Sequence, residues 1–214
     1  MNKPKSIPPQ VAIIDIGMGN ITSVRNAVEY LGSNTQVINS PDQFGSCDRI
    51  ILPGVGSFSE AITEVKEKWQ TFLVHQIKEN KKPFLGICLG MQLLTNKGTE
   101  GGDNPGLGLL DAETTKLKVK NLKLPHIGWN SVSYNHESRM FKNISEKSDF
   151  YFLHSYALKK IANAPLVGIS SYGEKFISAV ELDNIWVTQF HPEKSQVVGL
   201  QLIRNFLEYS LGDD

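Results

Sequence analysis

The sequence predicts an α/β fold: three layers, with a mostly parallel twisted sheet carrying helices on both faces and continued by an antiparallel extension. Three observations lead there. Short apolar runs at 11–16, 49–52 and 84–87 are separated by segments whose apolar residues recur at helical spacing, the alternation that builds parallel sheets through helical crossovers. Those runs are apolar nearly throughout instead of alternating, as strands covered on both faces are. From 114 to 187 the spacing becomes shorter and strand-like, which fits an antiparallel region packed on the main sheet.

Each element follows from its local pattern. Residues 11–16 form the first strand, and Ile21, Val24, Val28 and Leu31 then mark one face of a helix. Gly32-Ser33-Asn34 ends that helix, 36–38 resume extended structure, and 49–52 give a third strand. Ile62, Val65, Trp69, Leu73 and Ile77 place helical segments across 58–80. A strand, a sharp turn and a helix follow through Thr95. Five glycines between Gly98 and Gly108 read as a mobile loop. Residues 185–190 form a late strand, and 196–209 close the chain as an amphipathic helix with Val197, Leu200, Ile203 and Leu207 on one face. No repeat or linker divides the sequence, so residues 11–214 are expected to form one domain behind a flexible extension over 1–10.

Composition narrows the function. At 214 residues the chain can bury a real core. Its 22 basic and 22 acidic residues balance, so no global field favours nucleic acid or an anionic membrane. No apolar run approaches the roughly 20 residues that a membrane-spanning helix needs. Residues 1–10 hold two lysines and three prolines but no apolar stretch, unlike a secretory signal. Two cysteines point to a reducing cytoplasm and not to a disulfide framework. Of these, Cys47 has no evident partner and reads as structural.

Cys88 is the other. It lies in Pro83-Phe84-Leu85-Gly86-Ile87-Cys88-Leu89-Gly90-Met91-Gln92, between a buried strand and a helix. Gly-x-Cys-x-Gly has the spacing of a nucleophile elbow, whose turn is too sharp for flanking side chains and which holds its nucleophile in a strained conformation. Thiolate is favoured at such a strand-to-helix turn, and the Leu89 N–H is placed to hold an oxyanion. A base is found in Gln189-Phe190-His191-Pro192-Glu193-Lys194. In extended chain, positions two apart project to the same side, so Glu193 can reach the ring of His191. One ring nitrogen then faces the thiol while the other donates to the carboxylate, fixing the tautomer. Cys88, His191 and Glu193 form a candidate catalytic triad.

These two motifs resemble those of the triad-type, class I glutamine amidotransferases, which hydrolyse glutamine and pass ammonia to a synthase. Pro53-Gly54-Val55-Gly56-Ser57-Phe58, Gly17-Met18-Gly19-Asn20, Leu124-Pro125-His126-Ile127-Gly128-Trp129-Asn130 and Tyr151-Phe152-Leu153-His154-Ser155-Tyr156 are similar to the glutaminase subunits of imidazole glycerol phosphate synthases, of the histidine pathway. The resemblance runs from about Val11 to Leu211. It implies L-glutamine as substrate, no cofactor, and a (β/α)8 cyclase subunit as partner in a heterodimer. It further implies that Val55 and Gly56, with Leu89, frame the oxyanion site. The 53–56 strand is expected to be misoriented at rest and to supply its amide only when the partner binds its own substrate; glycines on either side of Val55 make a peptide flip cheap. Gln92, Ser155, Tyr156 and Gly54 match positions near the bound glutamine. Trp129, Tyr151, Asn20 and Lys194 match positions facing the partner.

Other readings stay open at this point. A paralogue serving a synthase of surface-sugar biosynthesis would keep every motif. The glutaminase of pyridoxal phosphate synthesis would carry Gly-Gly where this chain has Gly54-Val55. A non-catalytic regulatory subunit is disfavoured by the intact triad. Gly17-Met18-Gly19 is not a dinucleotide fingerprint, because Thr22 occupies the third glycine position. The five histidines show no metal-binding spacing, so no metal site is expected. His126 and His154 are either structural or close to the site.

Overall fold

The protein was analysed as a computed structural model that describes residues 8–146, 148–162 and 166–210. In chain order its elements are β1 (Gln10–Ile14), α1 (Ile21–Tyr30), β2 (Asn34–Ile38), β3 (Arg49–Gly54), α2 (Phe58–Glu64), α3 (Gln70–Val74), β4 (Phe84–Cys88), α4 (Leu89–Leu93), β5 (Thr95–Gly98), β6 (Asn104–Pro105) and β7 (Leu110–Lys116). There follow β8 (His126–Ser131), β9 (Ser133–Tyr134), β10 (Asp149–His154), β11 (Tyr156–Ile161), β12 (Leu166–Tyr172), β13 (Glu174–Leu182), β14 (Ile185–Thr188) and α5 (Gln196–Glu208). Of the extension expected over 1–10, residues 1–7 lie outside the described residues, and Gln10 already pairs with Asn34 in β1.

Strands run in the order β2-β1-β3-β4-β14-β13-β11-β7-β5-β6, with β12 and β9 added beside β13. The first five are parallel to one another, and β13 is antiparallel to β14 and to β11. The parallel core and antiparallel extension are those the sequence predicts. Successive residues of β1 enter opposite cores: Val11 and Ile13 pack on one side of the sheet, Ala12 and Ile14 on the other, and all four are fully buried. This two-sided burial is why the strands read as unbroken apolar runs. Strands β8 and β10 form a separate two-stranded ribbon. Among the described residues no helix is long and apolar enough to cross a membrane.

Helical segments cover 58–79 as expected, with π turns at Val65–Trp69 and His75–Glu79 alternating with α2 and α3. Two expectations need correction. The glycine-rich stretch is not a simple loop, since β5 pairs with β6 and with β7. In α5 the inward residues include Gly199, Leu202, Ile203, Phe206 and Leu207, whereas Val197 is 79% exposed. A Cβ on Gly199 would lie 1.9 Å from the Pro192 carbonyl oxygen, so the helix seats its glycine against the preceding turn and rotates Val197 outward.

Candidate active site

Strands β3, β4 and β14 end together, with Gly54 opposite Cys88 and Ile87 opposite Thr188. Ligands in open α/β sheets bind at such carboxyl ends. Cys88 sits where β4 turns into α4, with φ +54° and ψ −105°, a left-handed conformation that a non-glycine residue adopts only under constraint. The flanking glycines are the constraint. A Cβ on Gly90 would stand 1.9 Å from the Leu52 carbonyl oxygen, and one on Gly86 would stand 2.9 Å from that of Gly90. The elbow read from the spacing is present.

Leaving β14, the chain brings His191 and Glu193 beside the elbow. Nδ1–H of His191 donates to Oε1 of Glu193 at 2.9 Å, with both side chains 2% exposed. Nε2 of His191 makes no hydrogen bond, yet the Cys88 sulfur is near enough to act on the ring; catalytic contacts in unliganded sites are commonly this loose. Burial works against the charged imidazole, but the Cys88 thiolate, and after it Glu193, outweigh burial and raise the pKa of His191 from 6.5 to about 10. The imidazolium form of His191 is favoured between the sulfur and the carboxylate.

Val55, Gly56, Cys88, Leu89, Gln92, Glu100, Leu153, His154, Ser155 and Tyr156 are among the residues around a cavity of about 300 Å³, at the lower end of small-molecule sites. Gln92, Ser155 and Tyr156 are thus brought together with Cys88 around one cavity. Gly54 does not line the cavity: it ends β3, and a Cβ there would meet the Leu89 side chain at 3.0 Å. Leu89 opens α4 with its N–H in the first turn, where amides lack helical partners. The Val55 N–H is otherwise engaged, donating to the Met18 carbonyl oxygen at 3.2 Å. Gly56 beside it has φ +117°.

The partner-facing candidates divide. Trp129 is 47% exposed on β8, so it is not a core aromatic. Its ring meets Tyr151 of β10 edge-on at 6.0 Å, and Nζ of Lys194 lies 5.9 Å from the Tyr151 ring centre. Asn20 caps α1, its side-chain oxygen accepting the Ser23 N–H at 3.2 Å.

Sequence reasoning missed two contributors, and left His126 and His154 undecided. Glu100 reaches the cavity from the glycine-rich stretch and accepts the Phe58 N–H at 2.9 Å. Gln189 is fully buried with its amide on the Cys88 sulfur; its place two residues before His191 was the available signal. His126 and His154 are paired, ring nitrogen to ring nitrogen, at 3.1 Å. Burial lowers the pKa of His126 to about 4, and burial, against the hydrogen bond to the Tyr156 carbonyl, lowers that of His154 to about 3, so both are neutral at pH 7. Cys47 is buried and hydrogen-bonds Gln36. No group of three or more metal-ligating side chains occurs among the described residues.

Comparison with known proteins agrees with this geometry. The family model "Glutamine amidotransferase class-I" matches residues 12–209. Imidazole glycerol phosphate synthase subunit HisH 1 of Campylobacter jejuni is 42% identical over 198 residues, covering 92% of this chain and 98% of that relative. Subunit HisH 2 of Methanococcus maripaludis is 41% identical over 200 residues, covering 92% and 98%. The Aquifex aeolicus HisH subunit is 41% identical over 198 residues, covering 92% and 95%. Among solved structures, PurLQS from Thermotoga maritima superposes with a TM-score of 0.73 at 20% identity, covering 95% of this chain and 99% of that one; at that identity the likeness speaks for the fold. The chain belongs to the class I glutamine amidotransferases.

Proposed function

We propose that this chain is the glutaminase subunit of an imidazole glycerol phosphate synthase, working in histidine biosynthesis with a (β/α)8 cyclase subunit that turns the ammonia into imidazole glycerol phosphate and AICAR. The observation that carries the chemistry is His191 standing between the Glu193 carboxylate and the Cys88 sulfur at the strand ends. The names and coverage of the HisH relatives support the choice of synthase. Free thiols at Cys47 and Cys88 fit a cytoplasmic location.

In this reading Cys88 thiolate attacks the side-chain amide carbon of glutamine, and the amide oxygen takes the negative charge. Protonated His191 gives its proton to the departing nitrogen, so ammonia leaves and a thioester remains. Water then attacks the thioester as His191 removes its proton, and glutamate is released with the sulfur restored. Glu193 orients the ring and stabilises its charge. The oxyanion takes one N–H from Leu89 and a second from Val55. Because the Val55 N–H is spent on Met18, the second donor is withheld until the partner, loaded with its own substrate, turns the 53–56 strand. Trp129, Tyr151 and Lys194 face that partner, so ammonia passes into it before it protonates in water.

The test is co-expression with a (β/α)8 subunit, followed by glutamate release measured with and without the cyclase substrate, and identification of the cyclised product. Glutamate and imidazole glycerol phosphate formed one to one support the reading. A different cyclised product would reassign the synthase, and no glutamate under any condition would remove the glutaminase role.

A further inference from the structure

Two buried glutamines lie beside Cys88: Gln92, already matched to a position near the bound glutamine, and Gln189, which has no assigned part. Gln189 follows β14, is fully buried, and has Nε2 3.6 Å from the Cys88 sulfur. Its Oε1 lies 3.0 Å from Nε2 of Gln92. A glutamine amide can be turned end for end, so its direction has to be fixed by its partners. Here it is fixed. Nε2 of Gln92 also lies 2.9 Å from the carbonyl oxygen of Tyr156, a group that can only accept. That end of Gln92 is therefore the donor, and what it meets on Gln189 must be the oxygen. Only the N–H of Gln189 is left to face the sulfur. The Tyr156 carbonyl is anchored in β11 and accepts a second hydrogen bond, from Nδ1–H of His154 at 2.9 Å, which fills its second lone pair.

We propose that Gln189 is a further catalytic residue: its amide N–H donates to the Cys88 sulfur and holds the thiolate, while Gln92 sets the direction of that donation. The inference deepens the glutaminase reading and rests on it for its purpose. A neutral thiol is a weak acceptor and a thiolate a strong one. The Gln189 contact is therefore weak while the proton is on sulfur, where it points to the Leu153 carbonyl oxygen at 3.7 Å. It strengthens when the proton passes to His191. An interaction that grows as the reactive form appears favours that form, whereas packing alone does not. Leucine would fill the same space equally well, yet the site holds an amide whose every polar atom has a directed partner.

The experiment follows alkylation of Cys88 by iodoacetamide against pH, read by mass spectrometry of the Cys88 peptide, on the full chain alone. Gln189→Leu should raise the midpoint by about one to two pH units, the equivalent of one hydrogen bond to a charged acceptor. Gln189→Glu, which keeps volume and still accepts from Gln92, should raise it further because a carboxylate repels the thiolate. A midpoint unchanged in either variant that keeps the parental thermal midpoint overturns the inference. Should neither variant fold, the unaltered chain decides. The side-chain amide resonance of Gln189 should shift with the same midpoint as Cys88 alkylation and lose that shift in Cys88→Ala; a resonance indifferent to the thiol overturns the inference. Failure of the glutaminase reading is told apart from this, because it would abolish glutamate release while the thiol titration still followed Gln189.

Discussion

Gly54 and Cys88 are paired across neighbouring parallel strands, and the chain treats these two strand ends in opposite ways. At Cys88 everything is closed. Gly86 and Gly90 are pressed so tightly that no Cβ fits, and His191 and Glu193 are buried against each other. Moving the nucleophile would mean unpacking the core of the sheet. At Val55, one residue beyond Gly54, the backbone N–H is engaged by a single hydrogen bond to the Met18 carbonyl, next to a glycine at φ +117°. One such bond is worth about 1 kcal/mol net. The difference teaches where control can act at little cost: on the oxyanion strand, not on the triad.

The largest effect should come from breaking the closed side. Cys88→Ala should lower glutamine-dependent synthesis by about 10⁶-fold, the scale of nucleophile loss in a hydrolytic triad, and Glu193→Gln by about 10⁴-fold. His191→Asn should resemble Cys88→Ala. Synthesis from added ammonia by the assembled complex should stay near parental in all three, since the cyclase performs the ring chemistry. Equal loss of both activities would mean that Cys88 serves the fold or the interface.

The open side should respond next. The isolated chain should hydrolyse glutamine barely, and the partner with its substrate should raise the rate by about 10²–10³-fold, the worth of one oxyanion donor. Full glutaminase activity from the purified single chain would sink the idea that Val55 is withheld.

A smaller effect should appear at the ribbon. Trp129 is nearly half exposed and stacked edge-on with Tyr151, and the backbone N–H of His191 donates to the Tyr151 carbonyl at 2.9 Å. Aromatic anchors at interfaces are worth about 2 kcal/mol or more, roughly 30-fold in affinity. Trp129→Ala should weaken the partner by that factor, or raise the ratio of glutamate to cyclised product above one. The thermal midpoint of the single chain should move by no more than about 2 °C, as for other surface changes. A midpoint many degrees lower with coupling intact would mean that Trp129 serves the stability of the single chain and not the partner contact.

How much of this was legible follows the same division. The elbow was readable because Gly-x-Cys-x-Gly encodes its turn within five residues, and His191 with Glu193 because a two-residue spacing fixes their side. The parallel order was readable from strands buried on both faces. What stayed hidden depends on registers set between distant segments. Val55 meets Met18, Gln189 meets Gln92, and His126 stacks on Tyr172 at 4.0 Å, and no local pattern announces any of them. Glu100 was lost among glycines that suggested only mobility. Val197 was misplaced because helical periodicity gives a face but not its rotation, which Gly199 against Pro192 decides.

The last prediction asks whether the closed side stands charged before any substrate arrives. The pKa of His191 is raised from 6.5 to about 10, with the Cys88 thiolate the largest influence opposing burial and Glu193 the next. A group whose pKa is higher folded than unfolded binds its proton more tightly in the native state, so it stabilises fully below the unfolded value. That stability is lost as pH rises through the folded value. Between pH 6.5 and about 10 the stability that His191 contributes to the parent should therefore fall. In Cys88→Ala only Glu193 still holds the imidazolium, so the fall should be shallower and should finish at lower pH. Lysine and tyrosine titrations are common to both chains and cancel in the difference between the two curves. Superimposable curves would mean that sulfur and imidazole share no charge at rest, and that the ion pair forms only when glutamine enters.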